Sequence, residues 1–84
     1  MKKRYTVDGY FWNAKGEEYE HEEVCKFDSY EEAVAVYNVM KPTADLFQIE
    51  VWEEELNRYG VAERSKRIKL KDTSGEYDNP GLGE

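Results

Sequence analysis

Residues 46–54, LFQIEVWEE, alternate apolar and polar side chains, and a segment with that period must show two unlike faces as a β-strand. Phe47, Ile49 and Val51 fall on one side, and Gln48, Glu50, Trp52 and Glu54 on the other. The same period governs RYTVDGYFW, residues 4–12, where Tyr5, Val7, Gly9 and Phe11 oppose Thr6, Asp8, Tyr10 and Trp12. NAKG, residues 13–16, supplies turn formers, and Gly16 is free to take a positive φ where a hairpin closes. A second strand then begins inside EEYEHEEVC, residues 17–25. At period two, Tyr19, His21, Glu23, Cys25 and Phe27 share one face, and Glu18, Glu20, Glu22, Val24 and Lys26 the other.

SYEE, residues 29–32, matches a capping box, so a helix starts there, and Pro42 stops it at or before Lys41. Tyr30, Ala33, Val34, Tyr37 and Met40 recur at three and four as an apolar stripe, widened by Val36 and Val39. NRYG, residues 57–60, provides a further turn, and the strand after it sets Ile68 and Leu70 against Arg67, Lys69 and Lys71. The remainder, DTSGEYDNPGLGE, is glycine, proline and acid without periodicity. The order is β-β-α-β-β: a single small α+β domain over 1–71, a four-stranded antiparallel or mixed sheet with one helix packed on one face, and an acidic tail over 72–84.

Eighty-four residues suffice for one domain with a marginal core, which makes self-association an expectation to test. No long apolar run and no apolar segment behind the basic MKKR start is visible, so neither a membrane span nor a signal peptide is read, and a cytoplasmic location is expected. A lone cysteine agrees with a reducing compartment. Nineteen acidic side chains face twelve basic ones, and eight of those twelve lie in Lys2–Arg4 and in ERSKRIKLK, residues 63–71. Net negative charge disfavours nucleic acid at long range, while the basic strip keeps a local contact open.

Chemistry of the reactive residues is limited by geometry. On a strand, His21 and Cys25 stand roughly 13 Å apart, too far to share an ion or a proton, and no second histidine or cysteine completes a zinc set. No calcium-loop spacing and no phosphate-cradling glycine loop is present, so no catalytic residue, metal, cofactor or small-molecule substrate is assigned. A sheet with one helix leaves one face open, and alternation puts Tyr10, Trp12 and Trp52 on it. Rimmed by Glu18, Glu20, Glu22, Glu50 and Glu54, these aromatics read as a protein-binding surface of a non-enzymatic module, with a homodimer as its simplest form.

Two alternatives use the charges instead. Small size and acidity resemble those of inhibitors that phages and mobile elements direct at nucleases, restriction systems and CRISPR effectors. In that reading Glu17, Glu18, Glu20, Glu22, Glu23, Glu50, Glu53, Glu54 and Glu55 stand in for phosphates. A nucleic-acid site would use Arg64, Lys66, Arg67, Lys69 and Lys71. The acidic run also reads as a solvated face, or as the cross-strand partner of the basic strand if the two are neighbours.

Overall fold

A computed structural model describes residues 2–13, 15 and 17–78. The elements are β1 (Lys2–Trp12), β2 (Tyr19–Phe27), α1 (Tyr30–Val39), β3 (Leu46–Leu56), β4 (Ala62–Asp72) and β5 (Gly75–Asp78). They form one five-stranded sheet in the order β2-β1-β3-β4-β5, every neighbouring pair antiparallel. The sequence reading of four strands therefore misses β5. That strand lies in the segment read as tail, held by a turn in which Asp72 Oδ1 accepts from the amides of Ser74 and Gly75. Four exposed residues carry no alternation to reveal it. The rest of the expected tail, 79–84, and Gly16 of the first turn lie outside the described residues.

Ser29 caps α1 as its sequence signature requires, its Oγ accepting from the Glu32 amide at 3.2 Å while its hydroxyl donates to Glu32 Oε1 at 2.9 Å. The helix has no basic residue in its last turn, and the cation that a helix C-terminus favours comes from the sheet instead. Lys71 of β4 donates to the Tyr37 carbonyl at 2.6 Å and stands 4.3 Å from the centre of the Tyr37 ring. Burial pushes the Lys71 pKa down.

α1 lies across β1, β2 and β3, burying Ala33 and Tyr37 against Val7, Ile49 and Val51. Tyr5, Cys25, Phe27, Val36, Met40, Leu46 and Ile68 close around this small core, whereas Val39 of the expected stripe is 77% exposed. Gly9 makes room here, since a Cβ on it would sit 2.9 Å from Leu46 Cδ1. Eleven-residue strands run roughly 36 Å, but a ten-residue helix covers only about 15 Å, so each end of the sheet extends past it. The molecule is correspondingly long, 41 × 22 × 21 Å. No helix among the described residues is long and apolar enough to cross a membrane.

Of four breaks in register, one skips Glu63 between Glu55–Arg64 and Leu56–Ala62 near the end of β3, and the other three decide which side chains share a face at the site. Val24 is skipped between the pairs Val7–Cys25 and Asp8–Glu23, Phe47 between Tyr10–Gln48 and Phe11–Leu46, and Ile68 between Val51–Lys69 and Trp52–Arg67. Each is a bulge, after which the strand's alternation is inverted.

Ile49→Ala should cost about 2–5 kcal/mol, read as a lower urea midpoint with an unchanged m-value. A midpoint equal to wild type would mean that Ile49 is not in the core.

Candidate functional site

The face away from α1 holds two different surfaces. At its centre, on the middle strand, Glu50 is completely buried. Its carboxylate accepts from Trp52 Nε1 at 2.8 Å, Gln48 Nε2 at 2.7 Å and Arg67 Nη1 at 2.9 Å. Directly opposite on β1 lies Asp8, 6% exposed, which accepts from the Thr6 hydroxyl at 2.7 Å and faces His21 Nε2 at 2.6 Å. Two carboxylates on facing positions of one sheet face repel, and each is accommodated by its own donors. Burial raises the Asp8 pKa even though the Thr6 and His21 contacts pull it down. Glu50 therefore cannot serve as an exposed rim residue or phosphate stand-in, and Trp52 is a half-buried donor to it.

The second surface is at the end of the sheet where β1 finishes and β3 begins. The Phe47 bulge turns that ring away from the helix, contrary to the expected inward placement, and sets its centre 5.2 Å from Trp12, 5.9 Å from Tyr19 and 6.3 Å from Tyr10. The Val24 bulge carries Tyr19, His21 and Glu23 to this same face, opposite Trp12, Tyr10 and Asp8. Tyr19 meets Trp12 edge-on at 5.9 Å, and His21 stacks on Tyr10 at 4.7 Å. Trp12 remains 40% and Tyr19 60% exposed. With Gln48 the four rings border a shallow depression of about 450 Å³. Tyr10 and Trp12 of the expected trio are thus brought together, Trp52 stands apart on the Glu50 carboxylate, and Tyr19 and Phe47 are the members missed.

The same bulge puts Glu20 and Glu22 opposite Phe11 and Gly9, on the helix side of the sheet rather than around the aromatics. Glu18 stays at the hairpin mouth, where its carbonyl accepts from the Asn13 amide. Glu54 is not a free rim either, since Arg4 Nε and Nη2 both lie 2.8 Å from its Oε1. β2 and β4 are not neighbours, so the acidic run is not paired with the basic strand.

β3 takes that pairing, because it lies between the two basic segments: Glu53 between Lys3 and Lys66, Glu55 beside Arg64, Glu50 on Arg67. Lys69 is held by Asp78 at 2.6 Å, a contact that raises its pKa, and Lys71 by α1. Of the proposed nucleic-acid residues, Arg64 and Lys66 keep exposed side chains, with loose contacts of 3.9 and 3.7 Å. Among the described residues, Glu17, Glu18, Glu20 and Glu22 take part in no ion pair. Cys25 sits beside the core with its thiol pKa raised by burial, the opposite of a reactive thiolate.

No protein-family model, no curated protein and no solved structure matches the chain.

Glu50→Ala strands the Arg67 guanidinium and should cost about 3–5 kcal/mol. Exposed Glu20→Ala should change stability by no more than about 0.5 kcal/mol. Equal denaturation midpoints for the two variants would contradict the buried pair. A raised Asp8 pKa means that the folded chain holds this proton more readily than the unfolded one. Its contribution to stability is therefore greatest at low pH and is lost as pH rises through the raised value. The difference in Tm between Asp8→Asn and wild type should accordingly grow from about pH 4 towards neutrality. A pH-independent difference would contradict the burial of a charged Asp8.

Proposed function

We propose that the protein is a non-enzymatic interaction module that binds another protein through the aromatic corner formed by Tyr10, Trp12, Tyr19 and Phe47. One observation carries this reading: three mutually packed rings, Trp12, Tyr19 and Phe47, on a sheet face that no second layer among the described residues covers. Aromatic clusters with exposed area are the usual centres of protein contacts, because rigid rings give large buried area at small entropic cost. Nothing in the corner resembles an activated nucleophile. The titratable groups nearest to it, Asp8 and His21, are engaged with each other.

The mimicry reading keeps a narrower basis, the unpaired Glu17, Glu18, Glu20 and Glu22, since the β3 glutamates are committed to cations within the fold. The two readings separate by salt: a complex made by mimicry should weaken steeply as salt rises, and an aromatic one should not.

Affinity capture with wild type, Trp12→Glu and Val39→Glu tests the proposal, each variant first shown to be folded. Val39 is the control because it is more exposed than Trp12 yet lies on the opposite layer. The expected result is a partner, or a second copy of the chain, retained by wild type and Val39→Glu and lost with Trp12→Glu. The same proteins recovered with all three would overturn it.

A further inference from the structure

The partner's chemistry follows from what surrounds the corner, and the inference rests on the reading above. Lys15 is the one cation in the stretch from Trp12 to Glu22, against Glu17, Glu18, Glu20 and Glu22. On the far side of the corner Asp45 precedes β3, its carbonyl accepting from the Trp12 amide at 3.0 Å. Glu50, Glu53, Glu54 and Asp78 are by contrast each met by a cation at close range. The stretch that carries Tyr19 thus holds four carboxylates without an ion pair among the described residues, Glu20 and Glu22 of them on the helix side of the same strand.

Among the described residues β2 is also the outermost strand of the sheet on that side, with only β1 beside it. From Tyr19 to Glu23, before the Val24 bulge, its pairing to β1 is regular, so the outer edge of this stretch is straight enough to receive an extended chain. We infer that the corner and this edge together take an extended, arginine-rich segment of a partner protein. Guanidinium groups would lie over the Trp12 and Tyr19 rings, while the alternate side chains, which an extended chain points to the other face of the sheet, meet Glu20 and Glu22. Arginine suits the site better than lysine, because its planar, weakly hydrated cation stacks on aromatic faces and still donates in its plane to carboxylates. A compact cage for a single cation is not what the rings make. Their centres stand 5.2 to 5.9 Å apart and pack directly on one another, leaving their outer surfaces as the contact.

Titration calorimetry of the full chain with an oligoarginine peptide, with oligolysine of equal length, and with oligoglutamate tests this. Sedimentation of the chain alone runs alongside. Oligoarginine should bind wild type about tenfold more tightly than oligolysine, oligoglutamate should not bind, and the folded variant Trp12→Ala/Tyr19→Ala should lose the preference for arginine. Equal binding of the two cationic peptides, or a preference that survives loss of both rings, would mean attraction by net charge alone and would overturn the inference. Self-association of the chain abolished by Trp12→Glu, with no arginine preference, would overturn it too while leaving the aromatic corner as a protein-binding surface. Absence of the arginine preference together with capture unaffected by Trp12→Glu would remove both.

Discussion

Burial of the Glu50 carboxylate in the middle of the middle strand organises the sheet face that the helix leaves uncovered. A carboxylate without water must be met by donors, and Trp52, Gln48 and Arg67 supply them. Arg67 reaches in from β4 and ties that strand to β3 by a side-chain contact as well as by the ladder. The same demand turns Trp52 onto the carboxylate and leaves it half-buried, apart from the aromatic corner. A polar centre and an aromatic corner thus share a face that would otherwise be a uniform apolar sheet.

Strand order explains the charges in the same terms. Placing β3 between β1 and β4 sets its glutamates among Lys3, Arg4, Arg64, Lys66 and Arg67. These contacts are half-exposed for the most part and individually weak, but together they favour a register that pairs unlike charges across strands. β2, on the other side of β1, has no such neighbour. Its acids stay in water, next to rings that stay partly in water.

Local pattern made much of the scaffold legible. Period-two alternation located β1 and β3, the Ser29 and Pro42 signals bounded α1, and the two sides of β1 are those its alternation assigns. What alternation cannot carry is an inserted residue. Leu46 with Phe47 and Val24 with Cys25 are adjacent apolar pairs that break strict alternation, and they mark two of the bulges in hindsight. Ile68, between Arg67 and Lys69, leaves no such trace. Since each bulge inverts the faces beyond it, the expected glutamate rim of Glu20 and Glu22 moved to the helix side, and Tyr19 and Phe47 took their place around Trp12. Burial of Glu50 was invisible for another reason: it depends on Arg67 arriving from a strand seventeen residues away, and strand order is not written in local periodicity.

The two bulges that bring Tyr19 and Phe47 to Trp12 are the structural basis of the binding surface, and proton–proton contacts in solution report on them directly. Nuclear Overhauser effects from the Phe47 ring to the Trp12 indole and the Tyr19 ring are the predicted result, given centroid separations of 5.2 and 5.9 Å. Contacts from Phe47 to Ala33 and Tyr37 instead, with none to Trp12, would place that ring under the helix and dissolve the corner.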